Sequence, residues 1–177
     1  MTTQKISPEI RRGTVDDAPL LAEFGAHTFC DTFAADNTPE DMAAYLASSF
    51  SPEKQAAELA EPQVTFFIAE FNGAAAGYAQ LRASQAPACL TDPRAIELVR
   101  MYVLRDWFGR GVGEALMGAC IDAARQAGYH SMWLGVWERN GRAQAFYCKW
   151  GFRVVGRHVF QLGSDPQTDF LMERALS

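Results

Sequence analysis

The chain has no run of about 18 apolar residues, so no helix is expected to span a membrane. Its opening, Met1–Ser7, lacks the apolar core of a secretory leader. Four cysteines (Cys30, Cys89, Cys120 and Cys148) form no C-x-x-C pair, and with only three histidines there is no cluster at zinc spacing. Reduced thiols, no metal and a cytoplasmic protein are the expectation. Basic excess is missing too. Sixteen Lys and Arg stand against 21 Asp and Glu, a net charge of −5, which argues against nucleic acid and favours cationic partners.

What is present describes a folded α/β chain. The apolar fraction of 49 % and charged fraction of 21 % exclude a disordered polymer. At roughly 150 residues per domain, 177 residues predict one domain over 1–177. There is no internal repeat.

Glu9–Thr14 reads as a first strand, and Asp16 or Asp17 can cap a helix over Ala18–His27. Thr38-Pro39-Glu40-Asp41 and Ser51-Pro52-Glu53 each open a helix with a capping hydroxyl, proline in the first turn and acids near the positive end of the dipole. Val64–Phe71, Asn72-Gly73 and Gly77–Arg82 predict a hairpin, and Ser84–Pro93 a loop. Ile96–Leu104 reads as a strand. Parity places Glu97, Val99, Met101 and Val103 on one of its faces and Leu98, Arg100 and Tyr102 on the other. A helix after Gly113 with Leu116, Met117, Cys120, Ile121 and Ala124 on one side stops at Gly128. Strand Ser131–Trp137, helix Asn140–Trp150 and strands Val154–Leu162 and Asp169–Arg174 close the chain.

The chemistry begins at Gly109-Arg110-Gly111-Val112-Gly113, where a strand feeds a helix. Glycines let the backbone approach an anion, and the first amides of a helix have no partner within it. The spacing fits neither the P-loop nor the Rossmann fingerprint. By itself the segment is either a phosphate cradle or a tight connection.

Val103–Leu116, with Gly111 and Gly113 in place, resembles the acetyl-CoA-binding segment [Q/R]-x-x-G-x-[G/A] of the GNAT N-acetyltransferases, with Phe108 where Gln or Arg is usual. Trp133–Asn140 followed by Ala143–Phe152 resembles the second CoA segment, N-x-x-A-x-x-[F/L]-Y-x-x-x-G-F. Thr28–Phe33, Met42–Leu46 and His158–Asp169 are similar to the bacterial spermidine/spermine (PaiA-type) branch. The resemblance implies a GNAT fold: a mixed, mostly antiparallel sheet flanked by helices and splayed between strands Ile96–Leu104 and Ser131–Trp137. Acetyl-CoA is the implied co-substrate. It would be held by Met101, Tyr102 and Val103, by Phe108, Gly109, Arg110, Gly111, Val112, Gly113 and Glu114, by Leu134, Gly135 and Val136, and by Asn140 and Tyr147. Pyrophosphate would rest on backbone amides, so the Phe108 departure bears only on a side-chain contribution.

Acetyl transfer to an amine must deprotonate an ammonium, hold a thioester carbonyl and protonate a thiolate. The resemblance gives Tyr147 as the acid; the plain alternative is a ring packed beside Phe146. Glu97 is the candidate base, because an acid in an apolar strand needs a task or a partner. Its alternatives are a salt bridge to Arg82 or Arg100, or a water relay in its place. Asn140 could equally be a helix cap. Asp31, Asp36 and Glu138 are candidate acceptor contacts. His27, His130 and His158 receive no role, and Phe29, Phe33, Phe66 and Phe67 are read as core before pocket wall.

The expected reaction is direct transfer in a ternary complex to a small cationic amine, with a polyamine as the leading acceptor. A protein N-terminus, a lysine, an aminoglycoside or an amino acid are the alternatives, and a CoA sensor without turnover is the rival from another class. Cys148 as an acyl carrier lacks a nearby histidine in the pattern. A homodimer is left open.

Overall fold

The computed structural model describes residues 7–177; residues 1–6, on which the leader expectation falls, lie outside it. One seven-stranded sheet runs through the structure in the order β1-β2-β3-β4-β5-β7-β6. Its strands are β1 (Glu9–Arg12), β2 (Val64–Phe71), β3 (Ala74–Arg82), β4 (Ala95–Val103), β5 (Ser131–Trp137), β6 (Arg153–Leu162) and β7 (Asp165–Ala175). The helices are α1 (Ala18–Phe33), α2 (Pro39–Ser49), α3 (Pro52–Ala60), α4 (Val112–Gln126) and α5 (Gly141–Lys149). No described helix is long and apolar enough to cross a membrane.

Every neighbouring pair of strands is antiparallel except β4 and β5. That parallel pair is in register only at Ala95, Ile96 and Glu97 against Ser131, Met132 and Trp133. Beyond it β4 stays on β3 and β5 stays on β7, so the sheet opens into a fork as expected.

Local chemistry sets most boundaries where the sequence places them. Thr38 and Ser51 accept hydrogen bonds from the Asp41 and Lys54 amides, capping α2 and α3. Others differ: β3 begins at Ala74 rather than Gly77 and β7 at Asp165 rather than Asp169, and the ends of β1 and α1 also move. Thr14 is not strand: its N–H donates to Asp17, whose carboxylate is clamped by Arg11 at 2.8 Å, and this cap ends β1 at Arg12. Helix α1 runs six residues beyond His27, to Phe33, because Phe29 and Phe33 have aromatic partners to pack against.

The parity expected of β4 is broken. Gln80 pairs with Arg100 but Leu81 with Leu98, so Val99 is the extra residue of a bulge. Leu98 therefore joins Ile96, Met101 and Val103 on the α4 side, packed with Leu116, Met117 and Cys120. Arg100 and Tyr102 face α1–α3 together with Glu97. On that side Arg100 donates to Glu58 at 3.1 Å and to Gln80 at 2.9 Å, and Gln80 donates to Glu58 at 2.9 Å. Glu58 and Gln80 are buried, and the three groups satisfy one another across α3, β3 and β4.

Helix α4 lies tight on the sheet at Gly77. A Cβ there would come within 2.8 Å of the Tyr102 carbonyl oxygen and 2.9 Å of Val112. Gly77→Ala should therefore lower unfolding stability by about 1–3 kcal/mol, the cost of overpacking a close contact, measured as a fall in urea midpoint without a change in slope.

Candidate active site

The fork leaves backbone groups without sheet partners. Past Glu97, the β5-facing edge of β4 at Met101, Tyr102 and Val103 has no strand beside it, nor does the β4-facing edge of β5 at Leu134, Gly135 and Val136. An extended ligand can pair with such edges as an added strand does.

At the outer end of β4 a 3-10 turn, Arg105–Trp107, leads to the glycine loop. Gly109 and Gly111 have φ of 73° and 85°, a conformation that L side chains adopt only with strain. The first bond of α4 runs from the Ala115 N–H to the Gly111 carbonyl, which leaves the amides of Val112, Gly113 and Glu114 free at the positive end of the dipole. Gly113 faces α5, where an added Cβ would sit 3.2 Å from the Phe146 ring. Glu114 points outward, 3.9 Å from Lys149.

Phe108 is part-exposed, and the Arg142 guanidinium lies over its ring, 3.2 Å from the centroid. Arg110 stacks on Trp107 in the same loop. Burial and the nearby Arg105 charge hold the Arg142 pKa below its ordinary value. Arg110 and Arg142 thus flank the glycine loop, while Arg105 donates to the Asp31 carbonyl of α1 at 3.4 Å. Arg142 is a site residue that the sequence pattern does not mark. It stacks from α5 on the ring that stands where the family pattern has Gln or Arg.

Asn140 caps α5: its Oδ1 accepts from the Ala143 N–H at 3.1 Å. Tyr147 lies on the inner side of α5 against Phe146 and Phe152, and burial raises its pKa, so the phenol holds its proton at neutral pH. Cys148 is exposed on the same helix, and Cys30, Cys89, Cys120 and Cys148 are all free. Among the described residues no three His, Cys, Asp or Glu come together to hold a metal.

The sheet face towards α1–α3 forms the other half of the site. Glu97 is the last β4 residue paired with β5, at the vertex of the fork. Neither expected arginine pairs with it; Ser84 Oγ donates to Glu97 at 3.0 Å. Phe29, Phe66 and Phe67 are core. Phe33 reaches across to Trp137 at 4.8 Å between ring centroids, and Tyr45 meets Phe160 at 5.3 Å, so α1 and α2 roof this half of the fork.

The three acids expected at the mouth separate. Asp36 and Glu138 line one cavity of about 160 Å³ with Asp165, Trp137, Arg139 and Gln167. Asp31 stays outside it, 3.5 Å from His27. Asp165 is the acid that sequence reasoning missed. Its turn between β6 and β7 carries no motif, and only the register of the hairpin brings it to Glu138.

A fork edged with free backbone groups and ending in a glycine loop with free helix amides suits an extended, phosphorylated ligand. The sequence matches the Acetyltransferase (GNAT) family over residues 26–152, and the chain belongs to that family. It is an acetyl-CoA-dependent acetyltransferase. It is 38 % identical over 160 residues to an uncharacterized N-acetyltransferase of Lactobacillus delbrueckii subsp. lactis, spanning 90 % of this chain and 92 % of the relative. A spermidine N(1)-acetyltransferase of Thermoplasma acidophilum is 23 % identical over 96 % of this chain and 98 % of its own. The PaiA N-acetyltransferase of Thermoplasma acidophilum, solved with coenzyme A, superposes with a TM-score of 0.77 at 22 % identity, over 96 % of this chain and 99 % of that one.

Gly111→Val tests the cradle. A branched side chain at φ 85° moves the loop and its amides, and acetyl-CoA affinity by calorimetry should fall at least tenfold, about 1.4 kcal/mol. Phe108→Ala should cost much less, because the amides stay in place.

Proposed function

We propose that this enzyme transfers the acetyl group of acetyl-CoA to a primary amine of a small polycation such as spermidine or spermine, by direct attack in a ternary complex. The observation that carries the acceptor is the cleft of Asp36, Glu138 and Asp165 beside Trp137, with Arg139 its one cationic lining residue among those described. Three carboxylates in about 160 Å³ suit the spare ammonium groups of a polyamine. The net charge of −5 attracts the same ligand over a longer range.

Acetyl-CoA supplies an activated acyl group and a thiolate leaving group. The loop amides and Arg142 anchor its phosphates, and the open edges of β4 and β5 align its arm. That alignment sets the reacting carbonyl between the two halves of the site. Tyr147, a neutral phenol whose pKa burial raises further, donates its proton to the departing sulfur. The amine arrives from the α1–α2 side, where Glu97 and a second carboxylate, treated below, face the fork. A cytoplasmic location suits the free thiols of exposed Cys89 and Cys148.

Two measurements test this reading. Tyr147→Phe keeps the ring against Phe152, so acetyl-CoA binding should persist while kcat falls about 100-fold. The KM for spermidine should rise with ionic strength and rise further in Asp36→Asn/Asp165→Asn, as screening of an acidic cleft demands. Equal use of a neutral-bodied primary amine, with a KM blind to salt, would remove the polyamine and leave the acetyltransferase.

A further inference from the structure

Asp169 is a buried carboxylate with too few partners. It lies on β7 opposite Trp137 of β5 and His158 of β6, and all three side chains share the face under α1 and α2. The residue is only 9 % exposed, and its Oδ1 has no hydrogen-bond partner. Its Oδ2 is 4.0 Å from His158 Nε2, too far for a hydrogen bond.

The reason for this placement is next door. Gly135 is exposed although it sits mid-strand between the buried Leu134 and Val136. A Cβ on Gly135 would come within 3.3 Å of Asp169 Oδ2 and 3.0 Å of His158 Cε1. The missing side chain lets the Asp169 carboxylate and the His158 ring close onto the β5 arm of the fork, where the Gly135 backbone is exposed. The acidic cleft begins alongside, at Trp137, Glu138 and Thr168.

We infer that Asp169 seats the ammonium group of the acceptor and removes its proton, and that His158 passes this proton to solvent. The assignment rests on the acetyltransferase reading and names the group that prepares the nucleophile. The ammonium N–H breaks as Asp169 Oδ–H forms, leaving the nitrogen lone pair free. His158, exposed at the sheet edge, swings its Nε2 from 4.0 Å into hydrogen-bond reach of Asp169, takes the proton and releases it to solvent. Attack forms the C–N bond and breaks the C–S bond, Tyr147 protonates the sulfur, and the nitrogen's second proton restores Tyr147. One proton leaves per turnover, as ammonium plus thioester going to amide plus thiol requires.

The surroundings tune the carboxylate for this exchange. Burial, helped by Glu138 and opposed by His158, pushes the Asp169 pKa up to about 6. Tyr45 of α2 also faces it, with its own pKa raised chiefly by burial. The folded protein therefore holds a proton that the unfolded chain would release above its ordinary value of 3.8. Stability is lost as pH rises across that window, to about 6, and stays lost above it.

The test uses wild type, Asp169→Asn and His158→Ala with spermidine, spermine and a neutral-bodied primary amine as acceptors. Wild-type kcat/KM for spermidine should fall on the acid side with an apparent pKa of about 6. Asp169→Asn should lose about 100-fold in kcat/KM and lose that acid limb, yet bind acetyl-CoA as wild type does. Its Tm at pH 7 should exceed the wild-type value, and the difference should vanish near pH 4, a pattern that a merely structural carboxylate would reverse. His158→Ala should be slowed and rescued by added imidazole. Carbon-13 NMR of the Asp169 carboxyl, without turnover, should show its titration move down when spermidine is added. Wild-type kcat/KM or a retained acid limb in Asp169→Asn, or a carboxyl titration blind to the amine, would overturn the assignment. Preference for the neutral-bodied amine would count against the polyamine instead; Asp169 is then judged on that amine, whose ammonium needs the same seat.

Discussion

Everything in this molecule follows from two parallel strands that touch over three residues and then part. The β4–β5 pair is secure at Ala95–Glu97 because Ile96 and Met132 are buried together with Leu98 and Leu134 in the α4-side core. Past that point each strand has a stronger claim elsewhere, β4 on β3 and β5 on β7. The unmet backbone between them would be a liability in a purely structural sheet. Here it is an edge on which an extended ligand can be read, with α4 and α5 packed on one face of the sheet and α1–α3 on the other.

The bulge at Val99 decides which residues reach which face. Without it Leu98 and Arg100 would share one face, putting either an apolar side chain towards α3 or a guanidinium among the apolar side chains under α4. With it Arg100 meets Glu58 and Gln80, a closed polar group that holds α3 on the sheet. Burying that guanidinium is tolerable only because its partners are complete. Asp169 is the opposite case on the same face: buried, but with one oxygen unanswered. The contrast separates a polar group built for the fold from one held ready for a ligand.

Much of this was legible in the sequence, for physical reasons. Caps at Thr38 and Ser51, the glycine loop and the core stripe of α4 are local patterns, and they appear where the residues put them. What escaped was register. A single extra residue at Val99 inverts the parity of Glu97 relative to Met101, and no propensity marks it. Asp36 and Glu138 were found as acids and Asp165 was not, because their meeting depends on how the β6–β7 hairpin aligns with the end of β5. For Asp169 a signal did exist. It is an acid beside Phe170, Leu171 and Met172, the same anomaly that singles out Glu97.

The Arg142–Phe108 stack links two segments that lie far apart in the chain, the loop ahead of α4 and the first turn of α5. Where a loop carries its own basic side chain, its hold on a phosphate is complete once the loop forms. Here that hold is shared with a nine-residue helix whose position depends on contacts such as Phe146 against Gly113. Grip at the nucleotide end thus reports on the docking of α5, the helix that also carries Tyr147. Anything that loosens α5 from the loop ahead of α4 therefore displaces Arg142 and Tyr147 together.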